Sequence, residues 1–388
     1  MLEGKKVLVM SVNNPSKNPR PNRIIKFLAN HGAIVDALSP KTSGDLKINR
    51  EFNINELRPR LNERLLRVLL VLLRKVSPNF ELKVKLTELA YGLNRIIPYP
   101  PRFDEYDIIV VEDIVFLPMA IRNRNKAKVL CDLREFYPLE FSNYFIFLLL
   151  QSDFMNELCM GYLKQCDSLI TVSEGIAKMY KEKFDVSPEI IMSTPYYHDI
   201  SPSINAHNQI KMVHHGMASP DRELERMIYT FKYLDDRFYL DFYLVGSQLY
   251  IQRLKNIAQK FYPRVKVLPP MDFDSFIPNL NKYDIGLYLL APTNRNTLYS
   301  LPNKLFEFVQ ARLMVAIGPS PEMVKIVRKY DLGIIADNFE PQNLAEKLNR
   351  LKYEDILHYK RNSHKAAKIL CYENESRKLL DIIRKLLS

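Results

Sequence analysis

The chain has 388 residues, of which 47% are hydrophobic and 26% are charged. This length exceeds what one hydrophobic core usually organises, and the composition excludes a disordered or fibrous chain. Lysine and arginine outnumber aspartate and glutamate by 56 to 44, for a net charge of +12. This excess favours phosphorylated small molecules or an anionic membrane surface as partners. It is spread along the chain without a nucleic-acid-binding motif, so we expect no nucleic-acid partner.

The four cysteines form no CxxC pair and show no metal-ligand spacing, and the first residues do not resemble a signal peptide. We therefore expect a reducing, cytoplasmic environment and neither a cofactor nor a bound metal. The most apolar run, residues 144–150, is far shorter than the roughly 20 residues of a membrane-spanning helix. The sequence predicts no span.

Short apolar runs alternate with helical stretches in the first half. Residues 5–11 predict a buried strand, 13–22 a polar loop and 23–30 a helix, and further strands are predicted at 34–38, 108–111, 128–131 and 168–172. This alternation predicts a doubly wound parallel sheet. The loop has no glycine, which argues against a dinucleotide-dependent oxidoreductase.

Residues 60–76, RLNERLLRVLLVLLRKV, are basic and rich in leucine. One interpretation is an amphipathic helix that lies on an anionic leaflet and meets a lipid-linked acceptor. The other is an ordinary core helix with Arg64, Arg67 and Arg74 on its solvent face.

The second half repeats the alternation after a polar segment at 198–209, where we place the domain boundary. Strands are predicted at 211–215, 242–245, 265–268, 285–289, 314–317 and 333–335. The prediction is an α/β protein with two doubly wound, Rossmann-like domains, residues 1–200 and 210–365, facing across a cleft. Residues 366–388 are predicted to form a C-terminal helix that packs back on the first domain.

Two segments of the second half contain residues suited to a diphosphate. In the first, Gly216 ends a strand and Arg222 lies shortly before a helix predicted to begin near Glu223. A glycine lets the backbone approach a phosphate and an arginine can neutralise it. The alternative is an ordinary strand-end glycine with a solvent-exposed arginine.

The second segment is SLPNKLFEF, residues 300–308. Pro302 suits the first turn of a helix, which places Lys304 and Glu307 on one face. The carboxylate can accept both hydroxyls of a ribose and the lysine can contact phosphate oxygens. The alternative is a surface ion pair.

Together these segments, with YDIIV at 106–110 and CDSLITVSEG at 166–175, resemble the retaining GT-B glycosyltransferases of the family-4 type. The resemblance implies metal-independent transfer of a sugar from a nucleotide-sugar donor. It implies that Arg222 and Lys304 act in catalysis by stabilising the leaving diphosphate. The donor-binding residues that it implies are Gly216, Arg222, Ser300, Asn303, Lys304 and Glu307.

The chain also departs from the family pattern. Met217 stands where many relatives have an arginine, and Tyr299 stands where many have a glutamate near the transferred sugar. Asn14 and Ser16 lie in place of a glycine pair. The segment DLREFYP, residues 132–138, is similar to a DxHExxP segment with Arg134 at the histidine position.

The acceptor-side candidates are therefore Asn14, Ser16, Asp132, Arg134 and Glu135, with a helix cap and a first-turn acid as the alternative for Asp132 and Glu135. The implied function is transfer to a glycan or lipid-linked acceptor in bacterial surface polysaccharide synthesis, in the cytoplasm or at the inner face of the plasma membrane. A non-catalytic partner protein of the same fold and a nucleotide-sugar epimerase are the alternatives.

Overall fold

The structure is a computed structural model that describes residues 2–44, 46–54, 61–90, 100–204, 209–271 and 275–388. For residues 61–65, 67 and 90 the description covers the backbone alone. Parts of the predicted linker at 198–209 and of the stretch at 60–76, including the side chains of Arg64 and Arg67, therefore lie outside the described residues.

The strands, in chain order, are β1 Lys6–Met10, β2 Ile34–Ser39, β3 Glu51–Asn53, β4 Ile108–Val111, β5 Lys128–Leu133, β6 Ser168–Thr171, β7 Glu189–Ile190, β8 Ile210–Ala218, β9 Phe238–Gly246, β10 Val265–Leu268, β11 Ile285–Tyr288, β12 Met314–Ile317 and β13 Gly333–Ile335. Every strand predicted from the sequence is present. The two that the prediction missed, β3 and β7, are only three and two residues long and carry no apolar run.

The helices, in chain order, are α1 Pro19–Asn30, α2 Leu61–Val76, α3 Phe80–Ala90, α4 Leu117–Asn123, α5 Phe145–Phe147, α6 Asp153–Tyr162, α7 Glu174–Phe184, α8 Glu225–Tyr229, α9 Gln248–Ala258, α10 Phe276–Leu280, α11 Arg295–Leu298, α12 Asn303–Gln310, α13 Pro321–Tyr330, α14 Pro341–Asn349, α15 Tyr353–Ala367 and α16 Tyr372–Leu387. Three of them, α1, α13 and α14, begin at a proline. Proline suits this position because the first N–H groups of a helix have no intrahelical acceptor. No described helix is both long and apolar enough to cross a bilayer.

The strands form two parallel sheets, with the orders β3-β2-β1-β4-β5-β6-β7 and β10-β9-β8-β11-β12-β13. The strand order reverses between β1 and β4 in the first sheet and between β8 and β11 in the second. In open parallel sheets, ligands bind beyond the carboxyl ends of the strands at such a reversal. The topology therefore specifies one expected site in each sheet.

Both faces of the second sheet are covered, as β12 illustrates. Its residues Met314 and Ala316 belong to one buried cluster, and Val315 and Ile317 to another. Because successive side chains of a strand point to opposite faces, a strand covered on both faces is a continuous apolar run. This is why such runs predicted the strands correctly.

The chain divides into two compact units. The first comprises Met1–Val172, Ile176–Ile191 and Leu379–Ser388, and the second comprises Ser173–Gly175 and Met192–Lys378. The main division lies between Ile191 and Met192, upstream of the linker predicted at 198–209.

The helix α2 corrects one expectation. In one of the two interpretations of this stretch Arg74 lies on a solvent face, but its side chain is buried and its guanidinium lies 4.8 Å from the centre of the Phe154 ring in α6. Arg74 also donates a hydrogen bond to the carbonyl of Leu150. One charged side chain of α2, that of Arg74, therefore faces the protein.

Candidate functional site

The reversal point of the second sheet lies beside β8. Its neighbour β11 pairs with it at Met212 and Val213, and beyond Val213 β8 continues beside β9 to Ala218. The segment that carries His214, His215 and Gly216 therefore projects along the edge where the two halves of the sheet separate. A ligand is expected at this edge.

Gly216 makes room there for the side chain of Lys304. Its φ of +121° lies in the region that favours glycine, and a Cβ at this position would lie 2.6 Å from Lys304 Nζ. Any other residue would displace the ammonium group. Gly216 and Lys304, which belong to two separate segments of the sequence, are thus in direct contact.

The site at the reversal point of the second sheet contains two cations, Arg222 and Lys304, that have no carboxylate partner among the described residues. Among the described residues, no carboxylate oxygen lies within 4.0 Å of Arg222 or Lys304, which also excludes the Lys304–Glu307 ion pair considered above. Burial, and then the charge of Arg222, lowers the pKa of Lys304 to about 8, against the opposing effect of Glu307. Two cations close together, neither of them ion-paired with a carboxylate of the described residues, favour an anionic ligand.

Glu307 lies beside His215, whose role the sequence did not reveal. His215 Nε2 is 3.3 Å from Glu307 Oε2. Burial, and then the charge of Lys304, holds the pKa of His215 well below its usual value, so the ring is neutral at pH 7. The ring packs edge-on against Phe276 and Phe308, with centroid separations of 4.4 and 5.4 Å. A carboxylate beside a neutral imidazole can accept hydrogen bonds from ligand hydroxyls.

The backbone around these residues corrects two expectations. Arg222 ends a single 3-10 turn, Pro220–Arg222, and Glu223 has a left-handed φ of 44°, so α8 begins at Glu225 and not near Glu223. Pro302 precedes α12 in extended conformation, and Asn303 is the first helical residue. The Ser300 hydroxyl donates to the Thr297 carbonyl at 2.9 Å.

Uncharged side chains occupy the two positions where charged residues are expected from the resemblance. Met217 is 48% exposed, and its Sδ would lie 2.6 Å from a Cβ at Gly246. The Tyr299 ring packs on Gly175, where a Cβ would lie 2.4 Å from Tyr299 Cδ1. Neither position adds a charge to the site.

Asp113 lies after β4 at the reversal point of the first sheet and bonds to residues after two neighbouring strands. Its Oδ2 accepts a hydrogen bond from the Val12 backbone N–H after β1 at 2.9 Å, and its Oδ1 accepts one from Arg134 at 2.6 Å. Arg134 is thus already paired with a carboxylate. Asp113 was not identified from the sequence, although a polar residue directly after an apolar strand is a usable signal.

Asp132 lies on β5 and is not a helix cap. Both of its oxygens accept hydrogen bonds from Arg20 in α1, at 2.5 and 2.9 Å, and both side chains are buried. Arg20 also donates to the Ile191 carbonyl at 2.8 Å. The sequence prediction missed Arg20 because it is separated from Asp132 by more than a hundred residues.

Glu112 is fully buried beside these pairs. Neither of its carboxyl oxygens has a hydrogen-bond partner among the described residues. Burial, and then the charge of Asp132, raises the pKa of Glu112 to about 8. Burial, and then Glu135, likewise raises the pKa of Glu140 to about 8. Two carboxyl groups in this region are therefore largely protonated at pH 7.

Two further acceptor-side candidates, Asn14 and Ser16, hold a loop. The Asn14 amide donates to the Lys41 carbonyl at 2.7 Å, and the Ser16 hydroxyl donates to the Ser43 carbonyl at 3.0 Å. Both side chains connect the loop after β1 to the chain after β2. They are structural contacts beside the first reversal point.

Within the described part of the chain, no group of three His, Cys, Asp or Glu side chains is arranged to hold a metal ion. Asp272 and Asp274, a spaced pair of the kind that can bind a metal, lie outside it. The prediction of metal independence remains a prediction.

No family model and no curated protein matches the chain. Among solved structures it is similar to Anabaena Alr3699/HepE in complex with UDP and glucose, with 12% identity, a TM-score of 0.69, and coverage of 98% of this chain and 100% of the other. It is similar to a glycosyltransferase from Rickettsia africae ESF-5, with 13% identity, a TM-score of 0.68 and 99% of each chain covered. A third is WaaG, a glycosyltransferase involved in lipopolysaccharide biosynthesis, with 12% identity, a TM-score of 0.63, and 97% and 99% coverage. The chain therefore has the GT-B fold of these glycosyltransferases.

Proposed function

We propose that this protein is a glycosyltransferase that moves a sugar from a nucleotide-sugar donor to a glycan or lipid-linked acceptor in bacterial surface polysaccharide synthesis. The observation that carries the proposal is the arrangement at the end of β8. There the Lys304 ammonium lies against Gly216, Arg222 is nearby, and neither cation has a carboxylate partner within the described chain. A nucleoside diphosphate supplies the missing negative charge.

In this proposal the residues act through charge and position. Arg222 and Lys304 stabilise the negative charge that builds on the diphosphate as the bond to the sugar breaks. Glu307 accepts hydrogen bonds from the ribose hydroxyls. Transfer with retention and without a metal needs a stabilised leaving group and a positioned acceptor hydroxyl more than a strong protein base. We place the reaction in the cytoplasm, at the inner face of the plasma membrane.

A thermal-shift screen with UDP, GDP, ADP and their sugar conjugates tests the donor site, since a ligand that binds the folded state stabilises it. We expect at least one nucleotide to raise the melting temperature. Glu307→Ala should weaken that ligand by roughly 1.5 to 3 kcal/mol, the range for hydrogen bonds to a charged group. Glu346→Ala, which removes an exposed carboxylate of the same unit, should have no effect. If no nucleotide shifts the protein, the proposal fails.

A second candidate is a non-catalytic partner protein of the same fold. The observation that favours it is the pair of uncharged replacements, Met217 against Gly246 and Tyr299 against Gly175. Measured hydrolysis or transfer from any nucleotide sugar excludes it. Nucleotide binding without either reaction supports it over the transferase.

A further inference from the structure

The first unit carries an exposed apolar surface made by two short segments. On α2, Leu66, Leu69, Leu73 and Val76 are 50%, 53%, 45% and 79% exposed. Their spacing of three or four residues places them on one side of the helix. Val71 and Arg74 face the protein instead and are buried. The helix therefore turns its leucine-rich side outward, the reverse of an ordinary surface helix.

The second segment runs from residue 141 to 149 and includes α5. Phe145 and Ile146 are 74% and 68% exposed, and Phe141, Tyr144, Leu148 and Leu149 are also exposed. The hydrogen bond from Arg74 to the Leu150 carbonyl joins α2 to the end of this segment. Lys75 and Asp153 make a second contact at 3.5 Å. We call the exposed apolar side chains of α2 and of residues 141–149 the apolar surface.

The charge beside the apolar surface indicates what covers it. By sequence, residues 61–90, which contain α2 and α3, carry six lysines and arginines, among them the buried Arg74, and three glutamates. A two-fold dimer through this surface would bring two such basic segments together, which is unfavourable. An anionic bilayer offers both the apolar interior and the opposite charge. Leucine, phenylalanine and tyrosine side chains beside lysines and arginines are typical of helices that lie in a membrane interface.

We propose that the apolar surface inserts into the headgroup region of an anionic phospholipid leaflet, with Phe145 and Ile146 as its anchors in the second segment. The choice of a membrane rests in part on the proposed function, in which a lipid-linked acceptor lies at the bilayer. The mode of attachment differs from one carried by Arg64, Arg67 and Arg74, because Arg74 is buried. Apolar insertion, unlike attraction between exposed charges, is not screened by salt.

The test is sedimentation of the full chain with vesicles of phosphatidylcholine alone or mixed with phosphatidylglycerol, at low and high salt. We expect wild type to bind the anionic vesicles, with a fraction that resists high salt. Phe145→Ser/Ile146→Ser should weaken binding by at least about tenfold, as expected from losing two buried apolar side chains. Leu69→Ser/Leu73→Ser on α2 should act similarly. Leu249→Ser, which changes an 88% exposed leucine of the second unit, is the matched control and should bind normally.

Three results would overturn the proposal. In the first, wild type ignores anionic vesicles. In the second, Leu249→Ser loses binding as much as Phe145→Ser/Ile146→Ser does. In the third, light scattering shows a wild-type dimer that Phe145→Ser/Ile146→Ser converts to a monomer. Thermal shifts with nucleotides on the same variants keep the two proposals separate: vesicle binding without any nucleotide shift would leave the membrane surface standing and remove the transferase.

Discussion

Both reversal points carry two basic side chains, but these are ion-paired with carboxylates at only one of the two points. In the second unit, Arg222 and Lys304 stand together without a carboxylate partner in the described chain. In the first unit, Arg134 is paired with Asp113, and Arg20 with Asp132. One strand end is an unbalanced cationic site, and the other is a neutral network.

On the proposed function, this difference prepares the two strand ends for different ligands. Unpaired cations attract an anion and are stabilised by it, which suits a diphosphate. A paired cation attracts an anion less strongly because its charge is already balanced, so Arg134 is expected to be a weaker phosphate ligand than Arg222. The first reversal point is suited to neutral hydroxyls, and its ion pairs serve mainly to hold the strand ends.

The largest expected effect comes from breaking the Arg20–Asp132 ion pair of the first unit. Asp132→Ala leaves the buried Arg20 guanidinium without its partner, and we expect a loss of about 3 to 5 kcal/mol in the free energy of unfolding of the first unit. Denaturant titration, following the transition of that unit, measures it. Asp381→Ala, which removes an exposed partner of Arg384 in the same unit, should be silent. Equal effects of the two changes would contradict the buried network.

The next effect concerns the cationic side. Arg222→Ala should lower turnover by about 10² to 10³ fold, as removal of one group that stabilises transition-state charge typically does, with little change in stability. Steady-state kinetics with the donor found by screening measures the loss, and Arg253→Ala at an exposed surface pair is the control. A variant that melts early and keeps normal turnover would mark Arg222 as structural.

A third prediction uses the raised pKa of Glu112. The folded protein holds this proton up to about pH 8, whereas an unfolded glutamate releases it near 4.5. The folded state therefore binds more protons between these values, and stability should fall as pH rises through this window, by up to about 1.4 kcal/mol per pH unit. Glu112→Gln should reduce that slope and leave the part that Glu140 contributes, and Glu182→Gln, an exposed change, should keep the whole slope. Identical slopes in wild type and both variants would show that Glu112 does not have a raised pKa in the folded protein.

The smallest expected effect concerns how the affinity of the cationic site for a nucleoside diphosphate changes with pH. Lys304, with a pKa of about 8, should lose its charge as pH rises above that value, so affinity for the nucleoside diphosphate should fall by at most about tenfold per pH unit. Lys304→Arg should keep the affinity level because a guanidinium stays protonated. Isothermal titration across this range distinguishes the two. A wild-type affinity independent of pH would show that Lys304 does not contact the diphosphate.

Much of the donor-side arrangement could be predicted from local sequence. The run at 314–317 predicts a strand covered on both faces, and Gly216 and Lys304 lie in segments whose positions after strands are readable from the pattern. The resemblance added roles to these residues. Their contact follows because both segments lie at the same edge of one sheet.

The first unit shows where such reasoning ends. The sequence by itself determined the alternation of strands and helices, the leucine content of α2 and the excess of positive charge, because periodicity and composition act over neighbouring residues. Only the tertiary structure decided that Arg20 meets Asp132, that Arg134 is neutralised by Asp113, and that Arg74 turns inward while the leucines face out. Each depends on a partner far away in the chain, and an amphipathic pattern does not specify which side of a helix finds a surface to pack on.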